Sequence, residues 1–247
     1  MTEHDVKTAS ETAHADQAVE QPSGSLTESA SSELTEDQTL ALLKRSDLTA
    51  ETLTLLGRNA VAMKSRKVAL AIATHPRTPR HVSVPTLRRL FTFDLMLVTR
   101  TPAVPADIKR AAEEQILNRL ESLSAGEKIS LARRASGRVA AALLSDPDIR
   151  VMTTALDNSH LLEAAVVAAL MRNDAPDSLF AIASEHGKWS QRREVQIALL
   201  RNEKTPLAVA IQLARNFSAD FLRETLPESR QGTILEAITQ TPIGESG

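Results

Sequence analysis

The stretch Val68–Leu90, VALAIATHPRTPRHVSVPTLRRL, returns 127 positions later as Val195–Phe217, VQIALLRNEKTPLAVAIQLARNF. Each copy opens with a short apolar run whose large residues recur at helical spacing. A polar residue, His75 or Asn202, ends that run, and Thr-Pro follows three residues on. The pattern predicts a helix, a tight turn and a second helix. The Thr78 and Thr205 hydroxyls are expected to cap that second helix, with Pro79 and Pro206 preset for its first turn. Both copies then reach an aspartate before another apolar residue, Asp94–Leu95 and Asp220–Phe221. RTP recurs at Arg100–Pro102, 23 residues after Arg77. A third block, Val151–Asn173, aligns with the second copy at an offset of 44, setting Val151 on Val195, Asn158 on Asn202 and Val167 on Ile211. These spacings predict a unit of roughly 22–24 residues, or a helix pair of about 45, in the period range of an α-solenoid. In such an array no unit buries its apolar face alone, so neighbours stack.

Outward from this block the chain reads as further helices. TEDQTLALL carries a capping-box pattern, Thr35 with Gln38, ahead of an apolar run, and SAGEKISLARRA repeats it with Ser124 and Glu127. Thr49 is placed to cap TAETLTLLGRN. VPADIKRAAEEQILNRLESL predicts the longest helix, with Pro105 near its first turn and Ile108, Ala112 and Ile116 on one stripe. DPDIRVMTTALDN is expected to start at Asp146 or Asp148, and DAPDSLFAIASE at Asp174. No segment alternates like a strand. The predicted fold is all-α, an α-solenoid of short helical repeats, with residues 1–35 a disordered acidic tail, 36–227 the helical-repeat domain, and 228–247 a capping helix or frayed end.

On the residues quoted above, the two Thr-Pro blocks resemble the leucine-rich repeat variant, a bacterial relative of the HEAT and armadillo helical repeats. The likeness rests on the Val/Ala-rich helix, the His/Asn-x-x-Thr-Pro turn and the following Leu/Ala helix. It covers about residues 66–116 and 194–226, and more loosely 124–184. It implies a scaffold. The family's first described members also carry a cysteine cluster for an iron–sulfur centre, and that function does not transfer to a chain without cysteine. HPRTP with GEKISLARRA is similar to a further group of bacterial helical-repeat proteins, which adds no activity.

Composition narrows the chemistry. The absence of cysteine excludes disulfides, thiolate catalysis and zinc–cysteine sites. With no Tyr, one Trp and five Phe, the core must be aliphatic. There is no Gly-x-Ser-x-Gly elbow and no phosphate-cradling glycine loop. The N-terminus lacks a signal-peptide pattern, and the longest apolar run, Ala164–Met171, is too short to span a bilayer. A cytoplasmic protein with no membrane contact is the expectation. Of six histidines, His4 and His14 lie in the tail, while His75, His81, His160 and His186 fall at turns without metal-ligand spacing. The carboxylate pairs Asp146–Asp148 and Asp174–Asp177 precede helices and are expected to cap them, and Glu113–Glu114 lies on a polar face. No catalytic residue, metal or cofactor is assigned.

The charge pattern is more pointed. Residues 1–40 hold nine acidic groups and one Lys, whereas residues 41–227 hold 27 Lys and Arg against 19 Asp and Glu. The cations come in clumps, and stacking places equivalent positions side by side. Arg88, Arg89, Arg133, Arg134, Lys188, Arg192 and Arg193, with Trp189 among them, are the candidate partner-binding residues. Trp189 reads either as a gap-filling core residue or as an interface anchor. The expected function is a non-enzymatic protein–protein interaction scaffold. The alternative is a HEAT-like nucleic-acid binder using a basic stripe on phosphates, less so a relative of the helical DNA glycosylases. The acidic tail is a candidate intramolecular partner of the basic body.

Overall fold

The computed structural model describes residues 34–240. The expected disordered tail, but for Leu34 and Thr35, lies outside the described residues, as do His4, His14, any contact of that tail with the body, and the chain beyond 240.

Among the described residues every regular element is a helix. In order these are α1 (Glu36–Leu43), α2 (Ala50–Arg58), α3 (Arg66–Thr74), α4 (Arg80–Arg89), α5 (Thr92–Arg100), α6 (Ala106–Leu117), α7 (Ala125–Arg134), α8 (Gly137–Leu143), α9 (Ile149–Leu156), α10 (Glu163–Leu170), α11 (Asp177–Glu185), α12 (Arg193–Arg201), α13 (Leu207–Ala214), α14 (Ala219–Thr225) and α15 (Glu228–Gln240). Local chemistry accounts for most starts. Both capping boxes form, Thr35 with Gln38 and Ser124 with Glu127. Thr49 accepts the Thr52 N–H at 3.2 Å, and Asp148 accepts the Arg150 N–H at 2.9 Å.

Three expectations need correction. The long helix stops at Leu117 and resumes only as a 3-10 turn, Leu120–Ser122, while Arg119 turns away to donate to the carbonyls of Leu90 (2.7 Å) and Arg88 (3.1 Å). α11 begins at Asp177 rather than Asp174. Pro176 occupies its cap position, and Asp174 is held instead by Arg172 at 2.7 Å. Nor does the threonine of Thr-Pro cap the helix that follows. Pro79 and Pro206 themselves sit at the cap positions. The buried Thr78 and Thr205 hydroxyls point backwards, donating to the carbonyls of Ile72 (2.7 Å) and Leu199 (2.6 Å). They satisfy the orphan acceptors at the end of the preceding helix, so the motif is a helix stop as much as a start.

Packing joins nearly every helix to the next but one, and several helices also to the next, as α5 to α6 and α3 to α4. The odd-numbered helices α1 to α11 form one row and the even-numbered α2 to α14 another; α13 and α15 pack together at the C-terminal end. Within a row the helices run parallel: the start of α3 meets the start of α5 through Arg66–Asp94, and the start of α4 meets that of α6 through Arg80–Asp107. Successive helices of the first row begin at Arg66, Thr92, Ala125, Ile149 and Asp177, 24 to 33 residues apart. A helix pair therefore takes fewer than 45 residues. The offset of 44 covers three helices, α9 to α12, and the offset of 127 covers nine, α3 to α12. Both spans are odd, so each repeated block lands in the opposite row.

One continuous apolar core runs from Leu43 to Ile234 between the rows. Leu, Val, Ile and Ala fill it, with Phe180 and Trp189 the largest fully buried side chains. Gly137 shows how close the layers come: a Cβ there would sit 2.1 Å from the His160 carbonyl oxygen.

Candidate interaction surface

The turns carry a shared device. His75, Asn158, His186 and Asn202 each stand at or just past a helix end. Each accepts the backbone N–H two residues on, at 2.7 to 3.2 Å. The remaining ring nitrogen of each histidine, or the amide nitrogen of each asparagine, reaches back one layer in the row. His75 Nε2 donates to the Arg45 carbonyl (2.9 Å), Asn158 Nδ2 to Ala132 (2.6 Å), and Asn202 Nδ2 to Leu170 (3.0 Å). His186 Nε2 meets Asp157 Oδ1 at 3.1 Å. These turn histidines and asparagines tie one layer to the next, which buried carbonyl groups require.

Two edges result. Odd helices begin and even helices end along the first edge, and the reverse holds along the second. Arg88 and Arg89, at the end of α4, lie on the first edge. Arg133 and Arg134, ending α7, lie on the second, with Lys188, Arg192 and Arg193 at the α11–α12 turn. The seven candidate cations therefore do not form one stripe. On the second edge the intervening layer is acidic, with Asp157 on His186 and Glu163 at 3.9 Å from Arg192. Lys188 lies 3.9 Å above the Trp189 ring, and Arg193 stacks over Phe217 (5.0 Å) and Phe221 (5.6 Å). Arg193 matches Arg66 in the repeated block. There the partner is a buried aspartate, Asp94, bound in two places at 2.7 and 2.8 Å. Asp220, by contrast, is 92% exposed and pairs locally with Arg223.

Trp189, expected as a candidate partner-binding residue, is instead a core residue. It is 1% exposed, and its indole N–H donates to the Leu156 carbonyl at 2.8 Å. It ties the α11–α12 turn to the end of α9 and offers a partner nothing.

The first edge and the adjoining outer face of the even row hold a different grouping. On α4, His81, Pro85 and Arg88 recur at i, i+4 and i+7 and are exposed together. Arg89 is exposed beside them and donates to the Met63 carbonyl at 3.2 Å. Between α2 and α4 lies a crevice of about 180 Å³ lined by Thr54, Gly57, Arg58, Met63, His81, Val82, Pro85, Thr86 and Arg89. A Cβ on Gly57 would meet Val82 Cγ1 at 2.5 Å, so glycine lets α2 approach α4. Arg58 and His81 carry no signal in the sequence, where they read as a helix stop and a turn residue. Only the parallel packing of α2 on α4 makes them neighbours of Arg89.

Hydrogen bonding holds several turn and cap carboxylates below their usual range. Arg45 does so for Asp47, Arg150 for Asp148, Arg172 for Asp174, and the Ser124 hydroxyl for Glu127. These are ordinary turn and cap pairings. Among the described residues no cluster of three metal-ligating side chains forms, and no helix is long and apolar enough to cross a membrane. No protein-family model matches the chain, and no curated protein or solved structure matches it.

Proposed function

We propose that the chain is a non-enzymatic interaction scaffold, an α-solenoid of short helical repeats acting in the cytoplasm, that binds an acidic segment of a protein partner. The observation that carries this reading is the even-row face of α2 and α4. Arg58, His81, Arg88 and Arg89 are exposed there on adjacent parallel helices, and none of the four meets a carboxylate among the described residues. Guanidinium groups without a carboxylate partner on neighbouring helices favour an anionic partner, since screened surface charge otherwise contributes little. A second reading, binding of a nucleic-acid backbone, draws on Arg133, Arg134, Lys188, Arg192 and Arg193 sharing the second edge.

Fluorescence anisotropy separates the two. The full chain is titrated against a labelled Glu-rich peptide and against duplex DNA, at low and physiological salt. Peptide binding that Arg88→Ala weakens supports the scaffold. DNA binding with a steep salt dependence, weakened by Arg133→Ala with Arg134→Ala instead, supports the second reading.

A further inference from the structure

We propose that the crevice between α2 and α4 is an oxyanion site that receives a phosphoryl group carried on a side chain of the partner; this rests on the scaffold reading and names what its surface recognises. The lining carries two guanidinium groups and one imidazole and no carboxylate. Neighbouring grooves differ in kind. The groove between α4 and α6 sets Arg80 and Arg110 against Asp107 and Glu114, and Arg80 is bonded to Asp107. The groove beside α3 sets Arg66 and Lys67 against Glu36 and Asp94. The groove at the end of α6 sets Lys128 against Glu121 and Asp146. In those grooves Arg66, Lys67, Arg80 and Lys128 already have their anions inside the fold, whereas the two guanidinium groups of the α2–α4 crevice have none.

The donor geometry selects the ligand. Thr54 donates its hydroxyl to the Ala50 carbonyl at 2.8 Å, so at 3.5 Å from His81 Nε2 it acts as the acceptor. Arg89 spends one nitrogen on Met63 and keeps the rest of its fork free. Arg58, ending α2, has no side-chain partner among the described residues. A carboxylate has two oxygens, which one guanidinium fork satisfies. Donors from two helices around one space suit a group with three oxygens and a double charge, which a phosphorylated side chain supplies. Recognition of phosphorylated segments by clustered arginines is an established mode. Pro85 and Val82 give the crevice an apolar wall for the stem of that side chain.

The test uses the full chain and one peptide in three forms, bearing phosphoserine, serine or glutamate at the same position, with inorganic phosphate as competitor. The phosphopeptide is expected to bind at least about tenfold tighter than the serine form, and phosphate is expected to displace it. Arg58→Ala is expected to abolish that preference while leaving the helical circular-dichroism spectrum and Tm unchanged, because Arg58 holds nothing else in place. His81→Gln, which keeps a neutral donor, is expected to reduce the preference only in part. Arg88→Ala, outside the crevice, should weaken all three peptides alike. Equal affinity for the three forms, with Arg88→Ala still weakening them, overturns the phosphoryl site and leaves the scaffold standing. Binding of inorganic phosphate with no binding of any peptide overturns the partner's side chain as the source and counts against the scaffold as well. An unchanged phosphopeptide preference in Arg58→Ala overturns the assignment of the crevice.

Discussion

Replacing Trp189 by alanine tests the layered packing most directly. The side chain is 1% exposed, and a buried Trp removes about 200 Å² from water. At ~25 cal/mol per Å² that burial is worth about 5 kcal/mol. Large-to-small Trp substitutions in cores cost about 3–5 kcal/mol, which agrees. The variant also strands the Leu156 carbonyl, which loses its indole donor at 2.8 Å. Urea melts followed by circular dichroism at 222 nm should show a loss of about 3–5 kcal/mol. In heat, a domain of this size should fall by roughly 6–20 °C. Trp189→Phe keeps most of the ring and loses the donor, so about 1–3 kcal/mol is expected. Because each layer contacts only its neighbours, the joint between α9 and the α11–α12 turn is predicted to open before the N-terminal layers. Amide exchange should therefore rise first over residues 149–201. A loss under about 1 kcal/mol for Trp189→Ala, or exchange rising evenly along the chain, would refute the reasoning.

Further outcomes follow from the same geometry. Thr78→Val and Thr205→Val should each cost about 1–3 kcal/mol by leaving a helix-end carbonyl unpaired, while Thr→Ser at either site should cost less; equal losses for Val and Ser would show that the hydroxyl is idle. Gly137→Ala should destabilise by about 1–3 kcal/mol or more through its collision with His160, whereas Gly126→Ala, with nothing within 4 Å, should be neutral or slightly stabilising in thermal melts. Arg66→Ala should cost more than Asp94→Ala in urea melts, because it strands a carboxylate that is 3% exposed, while the reverse change frees a guanidinium already 59% exposed. Asp47, Asp148 and Asp174 have depressed folded values, so the unfolded chain binds more protons as acid is added. Their contribution is present above the usual carboxylate range and is lost as pH falls below about 4. Replacing all three by Asn should flatten the acid limb of the stability–pH profile measured by urea midpoints.

The helices were legible because their signals are local. Capping boxes at Thr35 and Ser124, the Thr49 cap and the apolar spacing all act within four residues. An aliphatic composition without cysteine also determined that the core would be built from Leu, Val, Ile and Ala. The Thr-Pro turn is legible in the sequence but the helix its hydroxyl serves is not, since a threonine before proline faces two helix ends and only packing selects one. The period differs from the sequence spacing for a related reason: aligned blocks share a local pattern whichever row they occupy, and both offsets span an odd number of helices. Trp189 had the same neighbours in sequence whether buried or exposed; the Leu156 carbonyl, 33 residues away, decided it. The candidate cations were visible as clumps, but their division between two edges depends on helix direction, and the grouping of Arg58 with His81 and Arg89 depends on α2 packing beside α4. Interactions within one turn of chain are set by residue type and spacing alone. Those between layers, 23 to 33 residues apart, exist only once the rows have stacked.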